Sequence, residues 1–175
     1  AQVGFSFTPP GSPNICIDDL AINDTLGTIN NGQIGDGRVV LLRPNGPGSN
    51  TNQVRGGTDS GANWSQVDDI PMSFSDYVYS ATVGARDTYA LQDIPSQVIG
   101  WAINAVEFVG YGQNSDSLPG SLAPTVVSGA AFESAAVPMT TSPTYFRQQY
   151  ETDPNTGAAW TAAALNALEA GTTVR

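Results

Sequence analysis

Residues 97–111 read QVIGWAINAVEFVGY, and their spacing decides the fold class. Ile99, Trp101, Ile103 and Ala105 occupy alternate positions and so share one face of an extended chain, while Val106 and Phe108 share the other. The stretch predicts a long central strand, buried on one face at first and on both later. Its C-terminal flank continues in the same style, with a polar loop at 112–120, a strand at 122–127 and a last long strand at 144–152 carrying Tyr145, Phe146 and Tyr150. On the N-terminal side, residues 77–83 are rich in Tyr, Val and Thr, and 87–91 follow after Gly84-Ala85-Arg86, which predicts two successive antiparallel strands.

Further out, Val39-Val40-Leu41-Leu42 is bounded by Gly35-Asp36-Gly37 and by Pro44-Asn45-Gly46-Pro47-Gly48, so 38–43 is expected to be a short buried strand. Residues 44–61 are dominated by Gly, Asn, Ser, Thr and Pro and read as a long surface loop. Residues 3–8 alternate before Pro9-Pro10-Gly11 stops them, and 15–22 make another strand with a bulge or change of face at Asp18-Asp19. One helix is expected near the end. Thr161 caps it, 162–168 are good helix formers with Leu165 and Leu168 on one face, Gly171 supplies a left-handed stop, and 172–174 return to the sheet.

Composition agrees with this reading. The 175 residues suit one domain, and 40% hydrophobic against 13% charged residues favours a packed fold over disorder. The 19 Gly and 12 Pro, spread along the chain, fit many turns between short strands. The fold class predicted is all-β: a jelly-roll-like antiparallel β-sandwich with one short C-terminal helix. Residues 1–12 are expected to form an N-terminal arm and 13–175 the sandwich domain. No repeat of fixed period and no heptad pattern occurs, which excludes a collagen-like or coiled-coil shaft within this chain.

Sixteen acids against six bases, all Arg, give a net charge of −10. Phosphate contacts need clustered positive charge, so nucleic acid is not an expected partner. No apolar run reaches membrane-spanning length, and Cys16 is the only cysteine, so no intrachain disulfide can form. With no His, Ser-His-Asp triads, Cys-His nucleophiles and His-ligated zinc are all removed.

Glycoside hydrolysis needs only two carboxylates and survives that filter. Among the four Glu residues, Glu107 stands out in an otherwise apolar strand: if buried, its pKa would rise and it could act as an acid. A Glu at an exposed strand position, or paired with an Arg, is the commoner case, so no catalytic residue is expected. Neither a cofactor nor a metal is expected. If a metal binds, calcium suits the oxygen-rich turns around Asp18, Asp19, Asp24, Asp36, Asp68 and Asp69, although none has EF-hand spacing and turn capping explains them. Trp64, Tyr77 and Tyr79 would make a sugar-stacking platform if exposed, whereas aromatics on strands more often fill a core. Asn23 and Asn63 head Asn-x-Ser/Thr sequences.

Four segments occur in a telling order: CIDDLAIND, GDGRVVLLRPNGPGS, SATVGARDTYALQDIP and ETDPNTGAAWTAAALNALEAG. Across residues 15–174 the chain resembles a family of phage and prophage virion proteins with concanavalin-like or jelly-roll sandwiches. The last block is the most specific. The resemblance implies a non-enzymatic structural role on the virion, as a capsid decoration, head-associated or tail-fibre subunit assembled in the host cytoplasm. It implies contact with other virion proteins such as the major capsid protein, and several copies per particle. A carbohydrate-binding, lectin-like module for host attachment is the alternative, with a glycan as partner. Further strands usually precede the IDDxxxND segment in the resembling proteins, whereas about fourteen residues do here. This leads to the expectation of a fragment, or of a shortened form whose open sheet edge another subunit covers. Candidate partner contacts are Phe5, Phe7, Pro9 and Pro10 in the arm, with Arg55 and Trp64 in and beside the 44–61 loop.

Overall fold

The computed structural model describes residues 37–58 and 60–175, nearly all of them in the compact unit Val40–Arg175. The strands expected at 3–8 and 15–22, Cys16, and the arm contacts Phe5, Phe7, Pro9 and Pro10 lie outside the described residues. The unit is an antiparallel β-sandwich with one short helix, the class the sequence predicts.

The main sheet is built from β1 (Pro44–Thr51), β4 (Arg86–Leu91), β10 (Glu169–Val174) and β6 (Gly120–Ser128), in that spatial order. The far edge of β6 is shared by β7 (Ala130–Glu133) and β8 (Val137–Met139), bridged by a hydrogen bond from Ser134 N to Pro124 O. Two ribbons complete the unit: β2 (Val54–Gly57) with β3 (Asp76–Tyr79), and β5 (Val106–Gly112) with β9 (Thr144–Tyr150).

Register sorts the side chains of the main sheet onto two faces. Tyr89, Ala170, Val126 and Phe132 form one row across four strands, so this face is apolar at its centre. It is covered by the loop after β4, by the β5–β9 ribbon and by α1 (Ala162–Asn166). Ile94, Val126, Trp160, Leu165 and Leu168 form the buried core there, with Leu91, Ile103, Val106 and Phe132 packed against it. Each buried aliphatic side chain stabilises the unit by about 1.5–3 kcal/mol. Trp160 buries its ring and donates its Nε1–H to Tyr150 O at 2.9 Å. The opposite face is polar and internally bonded. Thr125 and Thr173, both fully buried, pair their hydroxyls at 2.9 Å, and Arg86 Nε donates to Thr173 Oγ1 at 3.0 Å.

The helix begins as the sequence predicts: Thr161 Oγ1 accepts from Ala164 N at 3.1 Å, and Leu165 and Leu168 are both buried. Its end differs. Gly171 is no helix stop but an interior residue of β10, where a Cβ would lie 1.9 Å from Asp87 O, so only glycine lets β10 and β4 approach this closely.

Four other expectations are corrected. Residues 97–111 are not one long strand: Ser96–Val98 is a 3-10 helix, Gly100 has a φ of 89°, and β5 starts only at Val106. The left-handed glycine turns the chain, leaving Ile99 and Trp101 exposed, while Ile103 makes a single bridge to Trp160. Residues 38–43 form no strand, because only Leu42 of that apolar run reaches the core and Leu41 faces outward. The segment 44–61 is not simply loop, since it holds β1 and β2. Among the described residues each pairs with a single neighbour, and Pro44 and Pro47 are tolerated in β1 because a strand at the edge of those residues need not donate every N–H to them. Finally, β3 and β4 are not partners: β3 pairs with β2, and β4 lies between β1 and β10. Among the described residues no helix is long and apolar enough to cross a membrane.

Candidate functional site

Asp87 organises one end of the apolar face. Its carboxylate has no exposed surface and takes three donors: Gln53 N at 2.7 Å, Asn63 Nδ2 at 2.5 Å and the Tyr89 hydroxyl at 3.2 Å. A buried charge is tolerated when hydrogen bonds replace its lost hydration, as here. Gln53 Nε2 donates in turn to Thr172 O at 3.1 Å, and Asn63 Nδ2 also donates to Gln53 O at 2.9 Å. Burial, the Asp87 charge and the hydrogen bond to it push the Tyr89 phenol far above its ordinary value, so it remains a donor.

This network pins the 3-10 helix Asn63–Gln66 over the junction of β1 and β2, and the helix presents Trp64. Between them lies a groove of about 320 Å³ lined by Pro47, Thr51, Gln53, Asn63, Trp64 and Tyr89. Trp64 lines this groove, whereas Tyr77 and Tyr79, which the sequence reading groups with it, do not. Nor does Arg55: it is exposed on β2, and its Nη1 donates to Gly61 O at 2.9 Å across its own loop. Asn63 heads a glycosylation sequence, yet its amide nitrogen is committed to Asp87 and Gln53. Gln53, Asp87 and Tyr89 carry no sequence signal, since each is an ordinary strand or loop residue until folding joins them.

A second surface lies on the outer face of the β5–β9 ribbon. Register places Glu107, Val109 and Tyr111 beside Tyr145, Arg147 and Gln149. Tyr111 and Tyr145 have ring centroids 4.6 Å apart, and Phe74 meets the Tyr111 ring edge-on at 5.4 Å. Phe74 is 73% and Tyr145 59% exposed, so this aromatic cluster faces solvent and is not core. On the β2–β3 ribbon, Val54, Tyr77 and Tyr79 are likewise about half exposed, with the two tyrosine rings 6.0 Å apart. Glu107 is on the outer face too, its side chain 46% exposed and 3.5 Å from Arg147 Nη1. The burial that an acid role would require is missing.

The ETDPNTGAAW block forms a self-bonded loop. Burial opposes ionisation of Asp153, but hydrogen bonds from Ser128, Asn155 N and the Thr156 hydroxyl outweigh it and hold the carboxyl below its ordinary range. Gly157 N closes the loop on Asp153 O at 2.8 Å. The adjoining hollow, about 420 Å³, is walled by small residues, alanines and short polar side chains, and its carboxylate is already taken by its own loop. Asp68 and Asp69 are described and Asp18, Asp19, Asp24 and Asp36 are not; among the described residues no three carboxylates gather as cation ligands. No protein family, no characterised protein and no solved structure matches this chain.

Proposed function

We propose that the chain is a non-enzymatic structural subunit of a bacteriophage particle, holding neighbouring virion proteins through the aromatic outer face of the β5–β9 ribbon. One observation carries the contact role: Phe74, Tyr111 and Tyr145 form a contiguous ring cluster, apart from the apolar core, in which Phe74 and Tyr145 are mostly exposed and Tyr111 is half-buried. Exposed aromatic clusters mark interaction surfaces, because Tyr and Phe bury large areas at low conformational cost. The Glu107–Arg147 pair beside the rings matches the polar rim of such a contact and is too exposed to add much stability. Support for the particle itself comes from the four sequence blocks that resemble phage virion proteins. The partner is another virion protein, the major capsid protein or further copies of the chain.

The test is incorporation into particles. Phe74→Ser combined with Tyr145→Ser removes exposed rings and should leave thermal unfolding nearly unchanged while lowering the copy number in purified particles by about tenfold or more. Incorporation at the normal level by the folded double variant would overturn the contact face. Absence of the unaltered protein from purified particles would overturn the virion role itself.

A further inference from the structure

We propose that the groove beside Trp64 is a binding site for a neutral saccharide. The inference does not depend on the particle role or on the β5–β9 face. Three observations meet at this place. First, the groove combines an indole with amide and hydroxyl groups, the pairing a sugar needs: its C–H face packs on an aromatic ring while its hydroxyls take and give hydrogen bonds. Trp64 is only partly buried, so its ring has surface to offer.

Second, the polar groups are held in place before any ligand arrives. Asp87 fixes Asn63 and the Gln53 backbone from behind, and Thr172 fixes the Gln53 amide. Both side chains commit their NH₂ groups inward, which leaves Gln53 Oε1 and Asn63 Oδ1 as the amide acceptors for ligand hydroxyls. Thr51, exposed at the end of β1, adds a hydroxyl that both donates and accepts. Rigid, preoriented groups lower the ordering cost of binding, the usual weakness of sites for small polar ligands.

Third, charge and size select the class. Among the described residues that line it none is cationic, the carboxylate behind the wall is buried, and the whole chain carries −10, so the groove favours an uncharged sugar over an anionic one. A volume of about 320 Å³ is at the lower end for small-molecule sites and admits roughly one or two sugar rings. With one stacking residue and few hydrogen bonds, affinity on the order of a millimolar is expected for a free disaccharide.

The experiment titrates the full chain with maltose, cellobiose, lactose and chitobiose, and with a sialylated lactose as the anionic comparison, following amide chemical shifts by NMR. Saturable shifts confined to residues around the groove, with at least one neutral sugar, are expected. Trp64→Ala should weaken that binding by about tenfold or more, whereas Trp101→Ala, at an exposed tryptophan outside the groove, should not. Should Trp64→Ala fail to fold, Thr51→Trp serves instead, since this exposed position accepts a large ring that fills the groove and should abolish the shifts. No saturable binding by any neutral sugar, binding of the anionic sugar alone, or binding that survives both a folded Trp64→Ala and Thr51→Trp would each overturn the proposal. Any of these results would leave the virion role standing, which fails on particle incorporation alone.

Discussion

Glu133 lies between two guanidinium groups, bonded to Arg86 on one carboxylate oxygen and to Arg175 on the other. Burial opposes its ionisation, but the hydrogen bonds and charge of the two arginines outweigh it and hold the carboxyl below its ordinary value of 4.5. Glu169 is depressed in the same sense: burial is overcome by donors from the Thr88 hydroxyl and from Ser49 N and Oγ. Asp153 makes a third. A carboxylate whose folded pKa lies below its unfolded value contributes stability that is complete above the unfolded value and is lost as pH falls through the folded one. The urea midpoint should therefore stay level from about pH 7 to about pH 5.5 and fall steadily below about pH 4.5. Glu133→Gln should cost about 1–2 kcal/mol at neutral pH, because the partly buried Arg86 and the exposed Arg175 both lose their charge partner, and should flatten part of the acid limb. An unchanged acid limb in that variant would show that Glu133 takes no part in it. At this scale the sequence says little, since the burial of Asp87, Gln53 and Glu133 is set by partners dozens of residues away. Trp64 is legible because an indole in a Gly- and Asn-rich stretch is conspicuous wherever the chain places it.

Strands written in β-branched and aromatic residues, such as β4, β6 and β9, can be read directly, and so can the Thr161 cap of α1. Two of the missed strands share a cause: β1 and β2 are held by main-chain hydrogen bonds from Gly-, Pro- and Asn-rich stretches, so no side-chain alternation announces them, while β7 and β8 are missed because four and three residues are too few to show a period. The opposite error, at residues 97–105, arises because apolar residues at alternate positions also occur in a turn-broken connection in which only some reach the core. Tyr111 and Tyr145 can be placed on their strands from sequence, but whether their face is covered depends on the sandwich and not on the strand. Close strand approach offers a direct check on the register. Gly171→Ala puts a methyl group into the Asp87 carbonyl and should destabilise the unit by more than about 3 kcal/mol, read as a drop in thermal midpoint. An unshifted midpoint would mean that β10 and β4 do not meet at this register.

Over the whole molecule, charge works against compactness. The chain carries −10, and the three described ion pairs involve Arg86, Arg147 and Arg175. The exposed acids among the described residues repel one another, and salt shortens the range of that repulsion from about 30 Å at 0.01 M to a few ångströms near 1 M. The thermal midpoint should accordingly rise by about 2–5 °C between roughly 0.01 M and 0.5 M sodium chloride; a fall would mean that the arginine pairs dominate. Strand β10 matters to the whole in another way. It is the strand through which β4 and β6 are joined, so without Glu169–Val174 the main sheet becomes two half-sheets that frame a vacant slot six residues long. The registers on both banks of that slot are fixed by the chain that remains, and the slot cannot tell its own strand from an identical one arriving on a separate molecule. The sandwich is thus built as two pieces and a wedge, a layout suited to splitting the protein and reassembling it by adding the wedge as a peptide.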